Sequence, residues 1–137
     1  MGTDRISATL KVVIVDDSLI VAKRLLHMLS EISEVELKGI AQTISSARLL
    51  ISQQQPDVVI LDIYLEEGFS VSNGITLLED WKENYQKMKI IMLTNATEPH
   101  YQSASMLLGA DYFFDKSHDF EKIPSALKEI IQKGNEY

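Results

Sequence analysis

Asp16 and Asp17, Asp62, Thr94 and Lys116 share one local pattern: each stands at or just past the end of a short, largely apolar run. Gathered in one place, three carboxylates repel one another, and without a counter-charge at least one pKa must rise. A hard divalent cation removes that conflict. Mg²⁺ takes oxygen ligands, keeps several waters and is usually held by one or two carboxylates beside phosphate oxygens. Lys116 adds a compact positive charge and Thr94 a hydroxyl donor, so the set describes a cradle for a multiply charged phosphoryl group. One of the acids can then be a nucleophile toward phosphorus. Asp62, alone at the end of Val58-Val59-Ile60-Leu61, is the candidate.

The runs themselves must bring these residues together. Lys11 to Val15, Val58 to Leu61 and Lys89 to Thr94 read as strands buried on both faces, as in a parallel sheet. Val35 to Ala41 and Tyr112 to Phe114 are further strand candidates. Between them the apolar period changes to a helical one. Leu19, Ala22, Leu25, Leu26, Leu29 and Ile32 mark a first helix, which Asp17 or Ser18 can cap. Ile44, Ala47, Leu50 and Ile51 mark a second helix within Thr43 to Gln55, and Ile75, Leu78 and Trp81 a third. Ala104, Leu107 and Leu108 mark a fourth, opened by Glu98-Pro99 and closed by Gly109. Ile123, Ala126, Leu127, Ile130 and Ile131 mark a fifth, starting near Phe120. Five β-α units imply a parallel sheet with right-handed crossovers and helices on both faces, so all strand exits share one edge. That is the edge where open α/β sheets bind ligands.

Composition bounds the rest. With 137 residues the chain holds one domain: a tail over 1–9, a folded unit over 10–134 and a short tail over 135–137. Against 20 acidic residues stand 13 basic ones, a net charge of −7, which argues against a nucleic-acid surface. The absence of cysteine excludes disulfides and thiolate metal sites. No signal peptide or membrane-spanning run is visible, and the expected compartment is the cytoplasm.

The ordered set Asp16-Asp17, Asp62, Thr94 and Lys116 resembles that of a response-regulator receiver domain, over roughly residues 10 to 134. The resemblance implies a flavodoxin-like fold, a (βα)5 doubly wound five-stranded parallel sheet. It also implies that Asp62 accepts a phosphoryl group from a sensor histidine kinase or a phosphotransfer protein with Mg²⁺ bound. Asp17 would be a direct metal ligand, Asp16 a water-mediated one, and the main-chain carbonyl of Tyr64 a third. Thr94 and Lys116 would hold phosphoryl oxygens, and Phe113, three positions before the lysine, would turn inward with Thr94 as a switch. Such a domain works only on its own phosphorylation and dephosphorylation. Since the chain ends soon after the last helix, its output is expected through another protein's surface, as a monomer or a phosphorylation-dependent dimer, without nucleic acid or membrane.

Several positions depart from the family pattern. The loop after Asp62, Glu66 to Ser72, is long and lacks a proline, and Ser117 replaces the proline that usually follows the lysine, so the Lys116-Ser117 peptide is expected to be trans. Asn95 and Tyr64 could shield an acyl phosphate from water, which predicts slow autodephosphorylation. His27, His100 and His118 lack partners at metal-ligand spacing and read as ordinary helix or loop residues. A phosphohydrolase with an aspartyl-phosphate intermediate is the alternative function. That class needs a second acid two residues after its nucleophile, where this chain has Tyr64.

Overall fold

Strands and helices alternate along the chain in a computed structural model that describes residues 9–65, 73–96 and 98–134. β1 spans Leu10–Val15, α1 Leu19–Ser30, β2 Val35–Ala41, α2 Ile44–Gln54 and β3 Val58–Leu61. They are followed by α3 over Asn73–Asn84, β4 over Lys89–Thr94, α4 over Pro99–Leu107, β5 over Tyr112–Asp115 and α5 over Ile123–Gly134. A 3-10 turn, Phe120–Lys122, leads into α5. The sheet is parallel throughout in the order β2-β1-β3-β4-β5, so β3 is central. This is the flavodoxin-like architecture. The loop expected to run its own course from Glu66 to Ser72 lies outside the described residues, as do 1–8 of the first tail and 135–137 of the last.

Alternate residues of each central strand go to opposite faces, as the period of two demands. Val13, Val15, Val59, Leu61, Ile90 and Met92 pack under α2, α3 and the segment around α4, against Ala47, Ile51, Leu77, Leu78 and Trp81. Val12, Ile14, Val58, Ile60, Ile91 and Leu93 pack under α1 and α5, against Ala22, Leu25, Leu29, Ile123 and Leu127. Each such fully buried aliphatic side chain contributes roughly 1.5–3 kcal/mol.

Two helix faces differ from the sequence reading. In α1 the buried stripe is Ala22, Leu25 and Leu29, while Leu19 and Leu26, expected inside, are exposed. In α4 Leu107 is 88% exposed. Its inward face runs through Tyr101, Ser105 and Leu108, and a serine at the most buried position hides that phase from an apolar count. The ends follow the expected chemistry: the Ser18 hydroxyl accepts from the Val21 N–H and caps α1, and Gly109, at φ 105°, turns the chain out of α4.

Candidate functional site

Register aligns the strand exits. Val15 lies beside Leu61, Leu61 beside Met92, and Thr94 beside Asp115. The backbone ladder then continues one residue beyond the strands: the Asp16 N–H donates to the Ala41 carbonyl at 2.9 Å, the Asp62 N–H to Val15 at 3.0 Å and the Lys116 N–H to Thr94 at 3.0 Å. These side chains therefore project from pinned backbone rather than from free loops.

Lys116 is the hub. Its Nζ lies 2.7 Å from Asp16 Oδ2 and 2.9 Å from Asp62 Oδ2, and all three side chains are nearly buried. Asp17 joins them: one carboxylate oxygen from each of Asp16, Asp17 and Asp62 lies within 4.8 Å of the others. Burial pushes the Asp16 carboxyl up from its ordinary value, against hydrogen bonds from Lys116 and from the Ser18 N–H, and the neighbouring Asp62 charge adds to the rise. For Lys116 burial acts to lower the ammonium pKa, but the charges and hydrogen bonds of Asp62 and Asp16 outweigh it and the net direction is up. The lysine is thus held charged between two acids.

Thr94 is fully buried, and its Oγ1 accepts the Ala96 N–H at 3.1 Å, which leaves the hydroxyl proton to donate elsewhere. Phe113 stands beside Met92 on β5, half-buried against the core under α3 and α4. Tyr112 points to the other face and its hydroxyl bonds Glu129, with burial as the leading cause of a pKa pushed up to about 12. The Lys116-Ser117 peptide is trans, since no cis bond occurs among the described residues. His118 does have a partner: its Nδ1 sits 3.0 Å from Asp115 Oδ2, which raises the imidazole pKa and lowers that of the acid.

Two further contacts shape the site and escaped the sequence reading. A Cβ on Gly74 would collide with the Asp62 carbonyl oxygen and fall 2.6 Å from the Ile63 Cα, so α3 can close on the end of β3 only with glycine there. The available signal was a lone glycine at the start of a helical period. Tyr64, two residues past Asp62, donates its hydroxyl to the Tyr101 hydroxyl at 3.0 Å, with the rings edge to face at 5.8 Å. That bond is the main reason its phenol is pushed up to about 12. Nothing in the sequence pairs residues so far apart.

The model of the response regulator receiver domain matches residues 12–128. This chain belongs to that family. Among curated relatives, the receiver is 28% identical over 128 residues to the transcriptional regulatory protein MalR of Bacillus subtilis, covering 93% of this chain and 53% of MalR. It is 28% identical over 120 residues to the DNA-binding transcriptional activator DevR/DosR of Mycobacterium tuberculosis, covering 88% of this chain and 54% of that protein. The receiver thus spans about half the length of these relatives. Among solved structures, the isolated receiver domain of RcsB from Salmonella enterica serovar Typhimurium, with the phosphomimetic BeF₃⁻, superposes with a TM-score of 0.82 at 26% identity, over 94% of this chain and 92% of that one.

One expectation is overturned by these relatives. The net charge argues against nucleic acid among the partners, yet the similar protein DevR/DosR is a DNA-binding activator. A stretch similar to this chain makes up about half of that DNA-binding protein, so a net charge of −7 does not by itself exclude nucleic acid. As to membranes, no helix among the described residues is long and apolar enough to cross one.

Proposed function

We propose that this receiver is a phosphorylation switch in which Asp62 takes a phosphoryl group from the phosphohistidine of a histidine kinase or phosphotransfer protein. The observation that carries the reading is the Lys116 ammonium held between Asp16 and Asp62, with Asp17 beside them. Such an excess of negative charge around one lysine is costly unless a cation shares it. The donor set suits Mg²⁺: every candidate ligand is an oxygen, and the chain has no cysteine. Asp16, Asp17, Asp62 and the Tyr64 carbonyl would hold the ion. When bound, it would neutralise charge on the phosphoryl oxygens.

An Asp62 carboxylate oxygen attacks phosphorus, the P–N bond breaks, and the imidazole leaves with its electron pair and takes up a proton. Lys116 shifts from the Asp62 carboxylate to a phosphoryl oxygen, and the Thr94 hydroxyl donates to another. Phe113 then turns into the space left by Thr94, which changes the surface that α4 and β5 present. To drive such a switch from 1:99 to 99:1, phosphorylation must favour one state by about 5.5 kcal/mol.

Intact-mass measurement after incubation with acetyl phosphate and Mg²⁺ tests the reading. One phosphate adduct is expected on the wild type, and none on Asp62→Ala or with the metal chelated. An adduct that survives Asp62→Ala, or none on the wild type, would sink it.

A further inference from the structure

Helix α4 is lightly held. Glu98 gives its first turn no side-chain cap, the Ser105 hydroxyl is buried without a hydrogen-bond partner, and Leu107 is almost wholly exposed. A side-chain hydrogen bond from Tyr64, in the segment after β3, to Tyr101 ties α4 to the strand exits. Tyr64 in turn stands two residues past the phosphoacceptor: its backbone N–H points to Asp62 Oδ1 at 3.4 Å, its side chain is exposed, and its phenol is close enough to feel the Asp62 charge. A phenol ring fixed at one edge by its neighbour's ring and at its tip by a hydroxyl has little freedom left.

We infer that Tyr101 is a positioning residue for the phosphoryl chemistry, pinning the Tyr64 ring beside Asp62 so that the seating of α4 sets how readily water reaches the acyl phosphate. The inference rests on the proposed phosphorylation of Asp62 and adds a control on its lifetime. Hydrolysis needs a water in line with the P–O bond to Asp62; the water oxygen bonds phosphorus, the Asp62 oxygen leaves as carboxylate, and inorganic phosphate departs. A ring held at the mouth obstructs that approach, whereas a ring released from Tyr101 can swing aside. Any movement of α4 that separates the two hydroxyls would shorten the signal.

The full chain, phosphorylated with acetyl phosphate and Mg²⁺ and then freed of donor, would be followed by intact mass for the wild type, Tyr64→Phe, Tyr101→Phe and the double variant. Loss of one net hydrogen bond predicts a lifetime about two- to tenfold shorter in each single variant. The double variant should decay no faster than either single one, because both remove the same bond. A general loosening of the fold would instead lower Tm without this non-additivity. Wild-type decay in Tyr101→Phe, or effects that multiply in the double variant, would overturn the inference alone. A wild type that takes no Asp62-dependent phosphate would overturn it together with the reading it rests on.

Discussion

Strand β5 begins and ends in a network of lysines and aspartates, and the two networks are built on opposite principles. Before the strand, Asp111 accepts from Lys82 at 3.2 Å and from the Ile90 N–H at 2.9 Å, with Lys89 at 4.0 Å. One acid there faces two cations, and the lysines reach solvent. After the strand, one lysine serves two buried acids, with a third nearby. The first network is balanced and ties β4, β5 and α3 together. The second is short of positive charge and largely buried, so it weighs against folding, and it is where the proposed cation would offset the acids.

The largest effect that tests this contrast comes from the lysines. Removing the buried cation with Lys116→Met leaves two desolvated carboxylates facing each other and should cost about 3–5 kcal/mol, roughly 10–15 °C in Tm for a chain of this size. Lys82→Met, at the partly exposed network, should cost no more than about 1 kcal/mol. Equal losses in thermal melts would erase the distinction.

Neutralising one acid at each end should act with opposite signs. Asp111→Asn weakens a satisfied network and should destabilise by about 1–2 kcal/mol, whereas Asp16→Asn relieves crowding and should stabilise the metal-free protein by about 1 kcal/mol near neutral pH. The pH dependence follows. Because the Asp16 pKa is raised in the fold, its contribution favours folding below the unfolded value of 3.8 and is lost as pH rises through the folded value. Acidification should therefore narrow the Tm gap between the wild type and Asp16→Asn; a gap that widens would contradict the assignment.

The smallest effect lies just outside the site. The His118 pKa is raised above 6.5 by Asp115, so this contribution is present below that value and lost as pH rises through the folded one. Tm of wild type and His118→Gln should differ at about pH 6 and converge by about pH 8, and the same difference at both would show that the exposed pair contributes nothing.

Much of this architecture could be read before any coordinates. Lys89–Thr94 coincides with the strand expected from its residues, because a strand buried on both faces needs an apolar run; Val35–Ala41 coincides too, although it is an edge strand in which only Ala41 is buried. The acids and the lysine at the exits were readable for the same reason: each stands close to the end of its run, and parallel topology sends every exit to one edge. The face of α4 was not, since Ser105 occupies its buried centre and Leu107 its exposed side.

Local periodicity and chain order alone therefore dictate the sheet, its edge and the residues along that edge. Tertiary packing alone decided that Lys116 bridges Asp16 and Asp62, that Gly74 lets α3 touch the end of β3, and that Tyr64 meets Tyr101. These contacts depend on how helices are rotated and seated on the sheet, a matter of side-chain packing between distant segments that no local pattern encodes.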